Sequence, residues 1–314
     1  MVFCINKGTR WYFTTAFACH NCTTAQNVGL HTTEKLMSQS VPNVVLPNSF
    51  DIHDKSFHCR TVGLMKMKFP ICPYNTTVDK FVSLMIERGI YYEEQFIRRF
   101  LGLLLINPRL QLVDIGANIG LWSLPAARLT KVVSVEPDWR SMARLAVAVD
   151  LGHVSSNITL IHNAIHNVHT TLRMGASSIN PSHAFLIETS KCKATLSGKK
   201  WCDTLPPIDT IILNDILPLV QFKSALMKVD VEGNEVNVFT ESTAGKLFDH
   251  IDIPIVFMEW ALCKQRPTVQ RLLDFFYNRN FSAFDLRNSK LRKHYSKWPP
   301  NIVFKKSPYI DIAI

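Results

Sequence analysis

Short apolar runs alternate with stretches of helical periodicity from about residue 110 to the end of the chain. Five runs, beginning at residues 112, 131, 158, 226 and 253, predict strands that are buried on both faces. Apolar positions three or four apart predict helices over residues 122–128, 141–150, 236–248 and 269–278. Residues 281–286 and 301–304 predict two closing strands. This alternation favours a parallel sheet with right-handed crossover connections.

A helical lead-in precedes the first of these strands. Apolar residues recur there at spacings of three, four and their multiples: Phe81, Leu84, Phe96, Phe100 and Leu103. Gly89 divides this region into two helices, and a proline at position 108 ends the second. We expect residues 79–109 to cover one side of the sheet.

The turn after the first strand reads D-I-G-A-N-I-G over residues 114–120. Glycines suit a strand-to-helix turn whose backbone comes close to a ligand, and Asp114 lies where open α/β sheets bind their ligands. The spacing is neither the G-x-G-x-x-G of dinucleotide-binding folds nor a phosphate-binding loop ending in Gly-Lys-Ser/Thr. An oxidoreductase that uses NAD is therefore disfavoured.

Polar residues also end the later strands. Glu136 lies 22 positions after Asp114, where a carboxylate can accept hydrogen bonds from both hydroxyls of a ribose. Asn163 ends the third strand and could meet an adenine. Asp230 and Glu232 follow the fourth strand in a tight acidic turn.

Three motifs together resemble those of a known family. D-I-G-A-N-I-G, then V-E-P at residues 135–137, then K-V-D-V-E-G-N-E at residues 228–235 are similar to the signatures of FkbM-type methyltransferases, over residues 91–304. That family belongs to the class I enzymes that depend on S-adenosylmethionine. The resemblance implies an α/β, Rossmann-like fold. Its seven-stranded, mostly parallel sheet has the strand order 3-2-1-4-5-7-6 and helices on both faces.

The same resemblance implies the division of the chain and the residues of the cofactor site. Residues 79–314 would form the methyltransferase domain, and residues 1–78 an irregular, cysteine-containing extension. S-adenosylmethionine would contact residues at the ends of the first four strands: Asp114, Gly116, Ala117, Asn118, Gly120, Glu136, Pro137, Asn163, Ala164 and Asp230.

Methyl transfer from a sulfonium needs positioning and electrostatics more than strong activation. An acceptor hydroxyl still needs a base or an oriented partner, so Asp230 and Glu232 are the candidate catalytic residues. In the alternative interpretation, Asp230 orients the amine of the cofactor and Glu232 only caps the following helix.

Composition constrains the acceptor less than the motifs do. The net charge is +10, with a basic tail after residue 286, which suits an acidic partner. We expect an O-directed transfer to a small-molecule, glycan or lipid-like acceptor. A nucleic-acid methyltransferase and a non-catalytic binding protein on the same scaffold are the alternatives, although the chain lacks the Asn/Asp-Pro-Pro-Tyr/Phe turn of base N-methylation.

No apolar run approaches the ~20 residues that cross a bilayer. A soluble protein of the cytoplasm or of the lumen of the secretory pathway is expected.

Residues 1–78 and 167–208 are the least regular parts of the chain. Cys19 and Cys22 form a single C-x-x-C, and a zinc ribbon would need a second close pair that Cys59 and Cys72 do not supply. Ordinary thiols, or disulfides in an oxidising compartment, are the alternatives. Residues 167–208 predict an insertion with short strands that selects the substrate, in which two further cysteines, at positions 192 and 202, could pair.

Three histidines follow the third strand at helical spacing: His162, His166 and His169. Because no acidic or cysteine cluster accompanies them, we interpret them as loop residues and expect no metal site.

Overall fold

The computed structural model describes residues 4–6, 10–12, 57–177, 180–187, 202–292 and 294–309. Its strands are β1 (Cys4–Asn6), β2 (Arg10–Tyr12), β3 (Arg60–Leu64), β4 (Met67–Ile71), β5 (Gln111–Ile115), β6 (Val132–Val135), β7 (Ile158–Ile161), β8 (Ala164–Ile165), β9 (Thr171–Ser177), β10 (Asn180–Ile187), β11 (Cys202–Ile211), β12 (Ser224–Val229), β13 (Asp252–Glu259), β14 (Phe281–Phe284) and β15 (Asn301–Lys306). The helices are α1 (Val82–Glu87), α2 (Glu94–Ile106), α3 (Ser123–Ala127), α4 (Trp139–Leu151), α5 (Glu235–Val238), α6 (Glu241–His250) and α7 (Val269–Tyr277).

The chain divides into two compact units, residues 1–40 and 41–314. Within the first unit, β1 and β2 form an antiparallel pair. All other strands and helices belong to the second unit.

Seven strands form the central sheet in the order β14-β15-β13-β12-β5-β6-β7. The pairs from β13 to β7 are parallel, and β15 lies antiparallel between β13 and β14. The expected order 3-2-1-4-5-7-6 is therefore confirmed. The chain runs outward from β5 to β7 and then returns to β12, so the strand order reverses between β5 and β12. Open α/β sheets bind ligands at such a reversal.

Hydrophobic clusters cover both faces of this sheet. On β5, Leu112 belongs to one cluster and Val113 to the other, because successive side chains point to opposite faces. The first cluster includes Phe100 of α2 and Leu145 of α4. Helices α6 and α7 contribute to the second cluster. The apolar character of the central strands follows from burial on both sides.

The crossover after β12 differs from the single helix expected over residues 236–248. It consists of α5 and α6, separated at Phe239 and Thr240. Thr240 has extended backbone, and its hydroxyl oxygen accepts a hydrogen bond from the amide of Thr243 at 3.3 Å. An N-cap of this kind starts a new helix and explains the break. Between β11 and β12, Leu213–Leu219 form a 3-10 helix.

The residues just before the lead-in helices are regular, in contrast to the irregular extension expected up to residue 78. Strands β3 and β4 form an antiparallel hairpin, and Phe69, Ile71 and Cys72 are buried in the same cluster as α2 and α4. A disulfide joins Cys59 to Cys72. The pairing of these two cysteines agrees with the disulfide alternative. Cys19 and Cys22 lie outside the described residues.

The insertion forms a second sheet in the order β10-β9-β11-β8. Strand β11 is antiparallel to β9 and parallel to β8, which directly follows β7 of the central sheet. The short strands expected over residues 167–208 are therefore present, and they are anchored near the carboxyl ends of the central strands. Cys192 lies outside the described residues, and so does the side chain of Cys202.

Across the described part of the chain, the helices are all too short or too polar to cross a membrane.

Candidate functional site

The turn after β5 depends on glycine because it touches the end of β12. Gly116 has φ +82°, and a Cβ atom there would lie 1.8 Å from the carbonyl oxygen of Asp230. Gly120 has φ +92° and packs against Leu124 and Leu145. Asn118 also has positive φ, +52°, which asparagine tolerates better than most residues. Its side-chain oxygen Oδ1 accepts a hydrogen bond from the backbone amide of Ile119 at 2.8 Å.

A buried lysine holds this turn to β12. Lys228 pairs in register with Asp114 of β5, and its ammonium group donates a hydrogen bond to the carbonyl of Gly116. The Nζ atom lies 3.6 Å from Oδ1 of Asp114 and 3.5 Å from Oδ2 of Asp230. Burial alone would lower the pKa of Lys228, but the carboxylates of Asp230 and Asp114 raise it above its ordinary value. Lys228 is therefore a permanent cation at the reversal of strand order.

No role was predicted for Lys228 from the sequence. The available signal was a lysine inside an otherwise apolar strand, at residues 225–229. A charged residue at such a position needs a partner, because unpaired buried charges are strongly unfavourable.

Asp114 supports the site from behind rather than lining it. The side chain is fully buried, and Oδ2 accepts a hydrogen bond from the hydroxyl of Ser123 at 2.5 Å. Burial raises the pKa of Asp114, while Lys228 and Ser123 oppose that rise. Asp114 thus joins the strand end to the start of α3.

Glu136 connects the first turn to the second strand. One carboxylate oxygen accepts a hydrogen bond from the amide of Asn118 at 2.7 Å, and the other accepts one from the amide of Asp138 at 2.8 Å. Burial, followed by the charge of Asp138, raises the pKa of Glu136 to about 8. Each oxygen retains a further lone pair, and the side chain borders a cavity.

That cavity, of about 570 Å³ including its opening to solvent, lies at the carboxyl ends of β5, β6 and β12. The structure brings most of the predicted site residues together around it: Gly116, Asn118, Glu136, Pro137, Asn163, Ala164, Asp230 and Glu232. Asp114, Ala117 and Gly120 do not line the cavity. The side chain of Asn163 donates a hydrogen bond to the carbonyl of Asp209 at 3.1 Å, so part of its polar capacity connects to β11.

Glu235, rather than Glu232, closes the acidic turn after β12. Its Oε1 atom accepts hydrogen bonds from the amides of Val231 at 3.1 Å and Gly233 at 3.3 Å. Burial raises the pKa of Glu235 to about 7. The N-cap residue of α5 is Asn234, and Glu232 has left-handed backbone with φ +56°. The alternative in which Glu232 only caps the next helix is therefore wrong.

Glu232 instead pairs with His183 of the insertion, at 2.9 Å between Oε2 and Nδ1. The hydrogen bond from His183 opposes the rise that burial causes in the pKa of Glu232. The same hydrogen bond raises the pKa of His183, against the effect of burial. His183 was not predicted as a site residue, because the sequence of the insertion has no motif around it.

A third carboxylate, Glu259 at the end of β13, approaches this pair. Oxygens of Asp230, Glu232 and Glu259 lie within 4.8 Å of one another. Burial and the charges of Asp230 and Glu232 raise the pKa of Glu259 to about 9, so that it is protonated at neutral pH. Acidic groups of this kind are common without an ion, and we assign no metal to these three carboxylates.

The three histidines after β7 have separate partners. The Nε2 atom of His162 lies 3.1 Å from the carbonyl of Pro137, and that of His169 lies 2.6 Å from Asp215. His166 contacts Asn237. Their spacing therefore does not build a common site among the described residues.

The chain matches a known protein family. The family described as "Methyltransferase FkbM domain" matches residues 114–283, which run from the aspartate behind the first turn into β14. No curated protein sequence matches the chain.

Solved structures of similar architecture share little sequence with the chain. The O-methyltransferase TomG from Streptomyces achromogenes, in complex with SAM, is 11% identical, with 74% of this chain and 89% of that chain covered and a TM-score of 0.40. The O-methyltransferase from Bacillus cereus, in complex with SAH, is 11% identical, with coverage of 74% and 90% and a TM-score of 0.38. The precorrin-6y C5,15-methyltransferase from Geobacter metallireducens is 12% identical, with coverage of 68% and 89% and a TM-score of 0.37.

The Lys228→Met variant tests whether the buried ammonium holds the site together. Removing one partner of a buried ion group typically costs about 3–5 kcal/mol, because the remaining charges stay unpaired. We expect the variant to lose about 3 kcal/mol of unfolding free energy at pH 8, measured by urea denaturation. The deficit should shrink towards pH 5, because protonation of Asp114 removes one of the unpaired charges.

The exposed Lys223→Met, just before β12, is the matched control and should change the unfolding free energy by less than about 0.5 kcal/mol. Equal stability of the two variants at pH 8 would contradict the role given to Lys228.

Proposed function

The chain belongs to the FkbM methyltransferase family, and we propose that it transfers the methyl group of S-adenosylmethionine to an oxygen of a small-molecule, glycan or lipid-like acceptor. The observation that carries this proposal is the position of Glu136. Its carboxylate is fixed by two backbone amides and borders the same cavity as the glycine turn. A carboxylate so placed can accept hydrogen bonds from the two hydroxyls of a ribose.

The other lining residues fit the rest of S-adenosylmethionine. Gly116 lines the cavity, so its backbone is placed to contact the methionine portion. Asp230 lines the cavity beside Lys228, and its carboxylate suits the ammonium group of the cofactor. Asn163 and Ala164 would border the adenine.

Bound S-adenosylmethionine supplies an activated methyl group on a sulfonium. The work left to the protein is to hold the acceptor in line and to receive its proton. Of the two candidate bases, Asp230 has one oxygen 3.5 Å from the ammonium group of Lys228, so that oxygen already has a partner. Burial raises the pKa of Glu232, which makes that carboxylate the better proton acceptor. We therefore assign the base role to Glu232.

The Cys59–Cys72 disulfide favours an oxidising compartment, such as the lumen of the secretory pathway. Peptide mapping of natively expressed protein without reductant would test this, because two free thiols at these positions would exclude it.

Binding of S-adenosylhomocysteine, measured by calorimetry, tests the cofactor site. At pH 9, above the pKa of about 8 to which burial raises Glu136, Glu136→Ala should weaken binding about 100-fold, since two hydrogen bonds to a charged acceptor are each worth about 1.5–3 kcal/mol. Glu94→Ala removes an exposed carboxylate that pairs with Arg98 and should bind like the wild type. Folded wild-type protein that does not bind the ligand would contradict the proposal.

Glu232→Gln tests the base role once an acceptor has been found by screening hydroxyl compounds with methyl-labelled cofactor. We expect turnover to fall about 100-fold, because general bases typically contribute 10²–10⁴-fold. A variant with full turnover but weaker cofactor binding would exclude the role.

A further inference from the structure

The hairpin of β9 and β10 contributes to the cavity that the sheet edge forms. Residues of these two strands line it together with the glycine turn and Glu136: Met174, Ser182, Ala184, Phe185 and Leu186. The site proposed for S-adenosylmethionine therefore has two walls. One wall is the end of the central sheet, and the other is the insertion, to which the sequence pattern assigned only substrate selection.

Polar contacts hold β10 to the wall that the sheet forms. Asn118, in the glycine turn, donates a hydrogen bond from Nδ2 to the carbonyl of Ser182 at 3.0 Å. Arg140, in the first turn of α4, donates one from Nη2 to the carbonyl of Pro181 at 3.2 Å. Both contacts lie on the side of the cavity that β5 and β6 form.

The His183–Glu232 pair is the corresponding contact on the β12 side. Consecutive residues of β10, Pro181 to His183, thus join both sides of the cavity. In the contacts of Pro181 and Ser182 the insertion contributes a backbone carbonyl, whereas in the contact of His183 it contributes a side chain. A hydrogen bond between charged partners is also roughly twice as strong as one between neutral partners.

We propose that β10 is a retaining wall of the cofactor site, and that His183 is the positioning residue that keeps it closed over the bound cofactor. The inference rests on the proposed function, since it assigns the cavity to S-adenosylmethionine. It adds residues of the insertion to the cofactor site. Release of the product S-adenosylhomocysteine then requires the His183–Glu232 contact to open.

The contact should depend on pH in a definite direction. Glu232 and the charge of Asp230 both raise the pKa of His183, so His183 is fully charged below the ordinary histidine range near 6.5, and the charged pair is lost as pH rises through the raised value. Glu259 and Lys228 also face Glu232, and Glu136 titrates in the same cavity with a pKa of about 8. The contribution of His183 to the pH dependence is therefore isolated only by comparison with a His183 variant at each pH.

The experiment is the dissociation rate of S-adenosylhomocysteine from the full chain, measured by stopped-flow displacement at pH 6.5 and 8.5. At pH 6.5, His183→Gln should release the ligand about 3- to 10-fold faster than the wild type, the effect expected of one partly exposed, charge-assisted contact. At pH 8.5 the two rates should converge. His169→Gln is the matched control, because His169 also pairs with a carboxylate, but its partner Asp215 does not line the cavity, whereas Glu232, the partner of His183, does.

Equal dissociation rates for the wild type and His183→Gln at pH 6.5 would overturn the inference. Hydrogen exchange of the wild type gives a second readout that does not depend on the variant. Amides of residues 180–187 should gain protection when S-adenosylhomocysteine binds, and unchanged exchange there would equally overturn it. Folded wild-type protein that fails to bind the ligand would instead refute the proposed function.

Discussion

The ammonium group of Lys228 lies between Asp114, Asp230 and the carbonyl of Gly116, at the point where β5 and β12 end side by side. Burying the charges of Lys228 and Asp114 is favourable only when their geometry compensates for the lost hydration. The register of the two strands provides that geometry, because it places Lys228 directly opposite Asp114. The glycine turn, the start of α3 and the acidic turn after β12 are all connected to this group.

From this group the site extends in two directions. Towards β6, the amide of Asn118 in the glycine turn binds Glu136, and this orients the carboxylate assigned to the ribose. Towards β13, the acidic turn brings Asp230 and Glu232 near Glu259, and burial, together with the charges of the other two, raises the pKa of Glu259 and keeps it protonated. The first direction suits cofactor binding, and the second suits proton acceptance. The two functions can therefore share one cavity with carboxylates in different protonation states.

Those parts of the fold in which the local hydrophobic pattern agrees with burial could be predicted from the sequence. Strands buried on both faces are apolar throughout, so the central sheet could be predicted, and the motif at residues 114–120 located its functional edge. The hairpin of β3 and β4 was not predicted, because its formation depends on a disulfide and on packing against helices far along the chain.

The candidate site was predicted in outline, but three roles depended on contacts that spacing cannot show. Asp114 was placed at the cofactor, whereas its carboxylate lies behind the cavity because Lys228 and Ser123 hold it there. Glu235 binds the amides of the acidic turn, whereas one of the two interpretations had Glu232 cap the helix that follows. His183 lies in an insertion without a motif, and only the tertiary fold brings it to Glu232.

The most direct test of the account is a crystal structure of the protein with S-adenosylhomocysteine. The account predicts that the ligand fills the cavity at the ends of β5, β6 and β12, with both ribose hydroxyls within hydrogen-bond distance of Glu136 and the amino acid portion beside Gly116. It also predicts that Lys228 keeps its contacts with Asp114 and Asp230. A ligand bound elsewhere, or a Glu136 carboxylate turned away from the ribose, would contradict it.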